Sequence, residues 1–103
     1  LWSDRLPAAD RAILRGWLVE TPTGMARLRA GLPKNWNPGD KTGTCGGEAR
    51  AEVNDIAVFE TPDGTRYVLT AFLDRPTGST AEAEAGLADA AHAIAEWIRA
   101  GGA

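Results

Sequence analysis

Apolar residues in the first third of the chain recur at helical steps. Ile13, Leu14, Trp17 and Leu18 make one stripe, which predicts a first helix. Pro7-Ala8-Ala9-Asp10 suits its opening turn, where proline forfeits no hydrogen bond and a carboxylate meets the positive end of the dipole. Thr21-Pro22 stops it, because proline pushes the preceding residue out of the helical region. A second, shorter helix is predicted from Met25 to Leu32. Thr23 would cap it, Met25, Leu28 and Leu32 would form its apolar side, and Gly31 and Pro33 would end it. Arg27 and Arg29, two apart, leave such a helix in different directions. Positions 33–39, Pro-Lys-Asn-Trp-Asn-Pro-Gly, carry turn chemistry.

The spacing then changes to two. Asp40 to Gly47 is rich in threonine and poor in apolar side chains, and reads as a strand with one face toward something polar. Glu48 to Glu52 reads as a polar hairpin loop. Val53 to Glu60 and Thr65 to Leu73 are predicted strands. They are joined by Thr61-Pro62-Asp63-Gly64, a type I turn with proline second and glycine fourth. Ile56 and Val58 oppose Ala57 and Phe59 on the first of these strands. Tyr67, Leu69, Ala71 and Leu73 oppose Val68, Thr70 and Phe72 on the second. Apolar residues on both faces predict a sheet covered on both sides. Ser79 with Glu82 forms a capping box for a last helix that runs to about Ala100. Leu87, Ala91, Ile94 and Ile98 are its expected seam. The predicted class is α/β of the α+β kind: a helical segment over 1–32, then three antiparallel strands and a C-terminal helix over 38–103. Such a sheet needs more cover than these helices provide, so the chain is expected to be part of a larger domain.

Composition narrows the function. The 103 residues suffice for one domain at most, and 44% hydrophobic with 24% charged residues is ordinary globular content. A net charge of −3 with no basic patch argues against nucleic acid as a partner. No apolar run approaches the roughly 20 residues of a membrane span, and no secretory signal opens the chain. The single cysteine, Cys45, excludes an internal disulfide framework and a cysteine-rich zinc site. The single histidine, His92, excludes a paired-histidine metal helix and a self-contained Ser-His-Asp triad. His92 reads as a surface residue, Trp36 and Trp97 as packing residues, and Glu48, Glu52 and Asp55 as hairpin charge.

The chemistry lies in Asp40-Lys41-Thr42-Gly43-Thr44. On a strand, Thr42 and Thr44 project to one face and Lys41 to the other. Two hydroxyls can bind a carboxylate, and a neighbouring ammonium adds field. Gly43 permits close approach to the backbone. On an edge strand, the Thr44 amide would be free to donate to an oxyanion. Taken alone, the same residues also fit a polar edge strand blunted by a lysine.

Lys41-Thr42-Gly43 matches one signature of class A β-lactamases and penicillin-binding proteins. It stands within Trp36-Asn37-Pro38-Gly39-Asp40-Lys41-Thr42-Gly43-Thr44-Cys45. Asn54-Asp55-Ile56-Ala57-Val58 follows it, and Arg29-Ala30-Gly31-Leu32-Pro33 and Leu6-Pro7-Ala8-Ala9-Asp10-Arg11 precede it. In order and separation, these blocks resemble the C-terminal part of a class A serine β-lactamase, essentially from end to end. The resemblance implies a two-domain β-lactamase/transpeptidase-like fold. It also implies serine acylation of a β-lactam with no metal or organic cofactor, and a periplasmic or secreted location. Lys41 would hold the substrate carboxylate electrostatically, Thr42 and the Thr44 hydroxyl would bind it, and the Thr44 N–H would supply one oxyanion-hole donor. Arg27, fourteen residues before Lys41, and Arg75, at the end of the third strand, are candidates to support the carboxylate site. Cys45 stands where some family members form a disulfide, here to a segment outside this chain.

The departures are large. Ser-x-x-Lys, Ser-Asp-Asn and the glutamate that activates the deacylating water are all missing. Ser3 and Ser79 read as caps. The hairpin from Gly46 to Val53 is about two residues longer than is usual for the family, and Thr21 replaces an expected asparagine. The chain corresponds to the last two-fifths of such an enzyme, and it is expected to be inactive alone and to need the N-terminal portion as its partner. Two other readings stand beside this one: a D-alanyl-D-alanine peptidase or other penicillin-binding relative, and a non-catalytic ligand-binding descendant.

Overall fold

The structure is a computed structural model and describes residues 1–46 and 52–102. Helix α1 spans Ala8–Glu20, a one-turn helix α2 spans Leu28–Gly31, and a 3₁₀ turn covers Lys34–Trp36. Strands β1 (Gly39–Cys45), β2 (Glu52–Glu60) and β3 (Arg66–Asp74) follow, then helix α3 (Thr80–Arg99). The sheet is antiparallel with order β1-β2-β3. Its register pairs Thr42 with Asp55 and Thr44 with Val53 on one side, and Asp55 with Ala71 on the other.

Directly opposed residues share a face. One face therefore carries Asp40, Thr42 and Thr44 of β1, Val53, Asp55, Ala57 and Phe59 of β2, and Tyr67, Leu69, Ala71 and Leu73 of β3. This inner face meets Ala83, Leu87, Ala91 and Ala95 of α3, and Leu28, Leu32 and Trp36, in one apolar core. Trp36 stacks on Phe59 with centroids 5.5 Å apart, and Phe59 on Tyr67 at 5.2 Å. The outer face is only partly covered. Helix α1 lies over Gly39 at one end, where Val58 is buried. Ile56, Val68 and Phe72 stay exposed, Phe72 at 73%.

The strands, the Thr61–Gly64 turn and the bounds of the two long helices follow the sequence pattern closely. The Thr61–Gly64 turn closes with Gly64 N–H donating to the Thr61 carbonyl at 2.8 Å. Asp63 there accepts from the Thr61 hydroxyl and the Thr65 N–H, and these bonds hold its carboxyl below the ordinary range. Ser79 caps α3 by accepting from the Glu82 N–H at 3.1 Å.

Five expectations are corrected. The helix predicted over Met25–Leu32 shrinks to Leu28–Gly31, because Arg27 has extended-side torsions (φ −98°, ψ −136°) that free the Leu28 N–H to reach Asp55. Met25 is consequently exposed while Leu28 and Leu32 are buried. The α1 stripe is not a core stripe: Ile13 and Trp17 are exposed and Leu14 and Leu18 only half-buried. The seam of α3 runs along Ala83, Leu87, Ala91 and Ala95, with Ile94 and Ile98 flanking it half-buried. Small residues on the central line let the helix approach the sheet and α2 closely. Trp97 is half exposed rather than a core packing residue. Glu52 belongs to β2; the rest of the expected hairpin loop, Glu48 to Ala51, lies outside the described residues.

Candidate functional site

Strand β1 lies at the sheet edge with β2 as its single strand neighbour among the described residues. Two arginines fix it from behind. Arg29 donates to the carbonyls of Leu18 at 2.7 Å and Val19 at 3.1 Å, two groups of the last turn of α1 that have no helical partner. The same guanidinium pairs with Asp40, which is fully buried at the start of β1. One side chain thus ties the end of α1 to the residue before Lys41.

Below that residue lies a second buried carboxyl. Asp40 and Asp55 sit diagonally on adjacent strands of the inner face, both inaccessible to solvent. Asp55 Oδ2 accepts from the Leu28 N–H at 3.1 Å. Its pKa is pushed up to about 7, first by burial and then by the negative charge of Asp40 beside it; the Leu28 bond and Arg27 oppose the shift. Burial and a like charge thus make Asp55 hold a proton more readily than an ordinary carboxyl, and a protonated carboxyl can donate where two carboxylates would repel.

Arg27 is the other fixed point. It is buried, at 6% exposure, and it is not the solvated helix arginine that its sequence context also allows. Its Nε pairs with Glu84 Oε2 at 3.0 Å, Nη1 donates to the Asn54 carbonyl at 2.8 Å and the Gly43 carbonyl at 3.4 Å, and Nη2 donates to Thr44 Oγ1 at 2.7 Å. The guanidinium joins α3, β2 and β1. Lys41 is exposed on the opposite face, and its Nζ bends round to the Thr42 carbonyl at 2.8 Å. Thr42 is half-buried; Gly43, Thr44 and Cys45 are exposed. Cys45 is a free thiol.

The structure therefore brings together Lys41, Thr42, Gly43, Thr44 and Arg27. Arg75 does not join them. It ends β3, two strands from β1 and so about 10 Å away. Its side chain is 70% exposed and pairs with its neighbour Asp74. Asp40 as the anchor of Arg29 and Glu84 escaped the sequence reading, and Asp55, read as hairpin charge, is instead a fully buried residue of β2 beside Asp40. The signal for Asp55 was present, since Val53-x-Asp55-x-Ala57-x-Phe59 places a carboxyl in an otherwise apolar inner row. Glu84 had no local signal, because its partner lies 57 residues away. A concavity of about 580 Å³ lies elsewhere. Trp36, Thr61, Tyr67 and Ile98 line it near the other end of the sheet, and none of the predicted site residues takes part.

The sequence profile of the Beta-lactamase enzyme family matches residues 1–98. A β-lactamase of Mycobacterium tuberculosis is 45% identical over 92 residues, which cover 87% of this chain and 29% of that protein. β-Lactamase FAR-1 of Nocardia farcinica is 42% identical over 97 residues, covering 93% and 30%. Among solved structures, an ancestral class A β-lactamase superposes with a TM-score of 0.84 at 40% identity, covering 93% of this chain and 36% of that one. A β-lactamase from Burkholderia vietnamiensis gives 0.86 at 31% identity, covering 96% and 36%. The chain spans about three-tenths of the length of these curated relatives. An aligned stretch running nearly from end to end, with the three-stranded sheet and its helices superposing throughout, places this chain in the Beta-lactamase enzyme family.

Proposed function

We propose that these residues form the C-terminal part of a serine β-lactamase and supply one wall of its active site. The observation that carries this is the placement on one edge strand of Lys41, whose Nζ reaches round to the Thr42 carbonyl, and of a Thr44 hydroxyl held by a buried arginine. In this reading Lys41 provides the field that draws in the carboxylate of a β-lactam, and the hydroxyls of Thr42 and Thr44 bind it. Peptide groups alternate along a strand, so the Thr44 N–H points to the same edge as the Thr42 carbonyl that Lys41 reaches. That amide would stabilise the oxyanion formed as the lactam carbonyl is attacked. The nucleophile and the bases would come from the rest of the protein, since this sequence has no Ser-x-x-Lys. Arg75 has no part in it. A periplasmic or secreted location belongs to the same proposal, and cell fractionation tests it.

The test is a comparison of Lys41→Ala with Arg75→Ala in the full-length protein. Loss of a hydrogen-bonded charge at a partly desolvated anion site costs about 2–5 kcal/mol. Lys41→Ala should therefore lower kcat/KM for nitrocefin by well over tenfold, and Arg75→Ala by less than twofold. Equal effects would refute this placement of the anion site. Persistent acylation of the parent without turnover would favour a peptidase instead.

A further inference from the structure

We propose that Arg11, Arg15 and Arg66, gathered round Trp2, bind a phosphate group, free or carried on a lipid headgroup, at a site apart from the β1 edge. Arg11 and Arg15 stand one turn apart on α1, and Arg66 opens β3. With Trp2, Leu1 and Ala12 they line a cavity of about 240 Å³, and none of these described lining residues carries a carboxylate. Arg66 alternates with the inward-facing Tyr67, so it lies on the outer face of the sheet, the side on which α1 packs. It is remote in sequence from Arg11 and Arg15, which is why no basic patch shows along the chain.

The charges are undercompensated. Like charges four residues apart on a helix repel, and neither Arg11 nor Arg15 forms an ion pair among the described residues. Glu60 pairs with Arg66 through Nε at 2.9 Å. Burial lowers the Arg15 pKa, Glu60 opposes this only in part, and Arg29 adds to it.

The cations are also held in place. Arg15 donates to the Val58 carbonyl at 3.3 Å and to the Asn37 carbonyl, and Arg11 donates to the Ser3 carbonyl. The guanidinium carbons of Arg15 and Arg66 stand 5.5 and 5.2 Å from the centre of the Trp2 ring. Side chains fixed in this way lose less freedom when an anion binds. Each guanidinium still keeps most of its five N–H groups for another acceptor. Trp2 adds one more donor. Its Nε1 is shut off from solvent and bonds to none of the described residues. The guanidiniums around the ring have no acceptor to give it. An oxyanion supplies what these groups lack, acceptor atoms together with negative charge. A tetrahedral phosphate presents oxygens in several directions, which suits donors arriving from α1, β3 and the N-terminal segment better than a planar carboxylate does.

The experiment is calorimetric titration of the full-length protein with inorganic phosphate at fixed ionic strength. It is done in a Lys41→Ala background, so that the β1 edge contributes no anion binding. One saturable site is expected. Arg11→Gln and Arg66→Gln should each weaken it about tenfold, the order of one hydrogen bond to a charged group. Arg5→Gln, at an exposed arginine outside the cavity, should leave it unchanged. Arg66 is itself exposed, so its variant tests the site even if Arg11→Gln fails to fold by circular dichroism. Vesicles of phosphatidylglycerol separate the two sources. Cosedimentation of the parent but not of Arg66→Gln identifies a headgroup, and saturation by phosphate without vesicle binding identifies a free ion or small ester. Absence of saturable phosphate binding, or binding that Arg66→Gln leaves at the parent affinity, would overturn the proposal.

Discussion

At Gly31 the second helix meets the last one backbone to backbone. A Cβ there would overlap the Ala88 carbonyl and press on the His92 N–H. Neither can yield without moving α3, so Gly31→Ala should destabilise the full-length protein by about 1–3 kcal/mol, read as a lower melting temperature. An unchanged melt would show that α3 is free to shift. The carboxyl pair makes a prediction of a different kind. Asp55 has a pKa of about 7 in the fold against 3.8 as its ordinary value. Between those values the folded protein holds a proton that the unfolded chain has lost. The contribution of this group is therefore fully present below about pH 4 and fades as pH rises through 7. Asp55→Asn, which keeps the shape of the protonated acid, should flatten the fall of melting temperature between pH 5 and 8. Parallel curves for parent and variant would refute the assignment. Some of this was legible beforehand. Alternation put Thr42 and Thr44 on one face and Lys41 on the other, but only the resemblance around Lys-Thr-Gly gave them roles, and Asp55, read as hairpin charge, is a fully buried residue of β2. The Asp40–Arg29 and Glu84–Arg27 pairs were not legible, because long-range ion pairs leave no periodic trace.

Local chemistry decided most of the elements. Pro7 starts α1, Thr21-Pro22 ends it, and Ser79 opens α3, each through a backbone effect that acts within one turn. Ser79→Ala should cost about 1 kcal/mol, while Ser79→Asp, which also accepts from the Glu82 N–H, should hold the parent melting temperature. Equal melts for all three proteins would mean that packing alone fixes the start of α3. Tertiary contact decided the elements that periodicity misread. Met25 to Arg27 has good helix formers, yet Arg27 leaves helical torsions so that Leu28 can give its N–H to Asp55 and the guanidinium can reach three other elements. The α3 seam moved for a related reason. Larger Ile94 and Ile98 sit at the flanks, where there is room, and alanines take the line of closest approach.

On the scale of the whole molecule, the two sheet faces differ. The inner face is packed; the outer one leaves Ile56, Val68 and Phe72 exposed in a row across β2 and β3. Val68 and Phe72 were expected to be covered because apolar alternation on both sides of a strand implies two covers. Among the described residues α1 reaches only the Val58 end. Beside this face β3 has a free edge, since β2 is its one strand neighbour among the described residues. A bare apolar surface next to an unpaired strand edge favours association. The 103-residue chain prepared alone should therefore sediment as dimers or larger species at micromolar concentration. It should also turn over no nitrocefin, as it lacks a nucleophile in any family motif. Phe72→Lys, at the most exposed of these positions, should shift the chain toward monomer without disturbing the inner core. A compact 10.9 kDa monomer with a cooperative melt in the unmodified chain would refute this reading. So would a Phe72→Lys variant that associates as strongly as its parent, because the outer face would then not be the surface through which the copies meet.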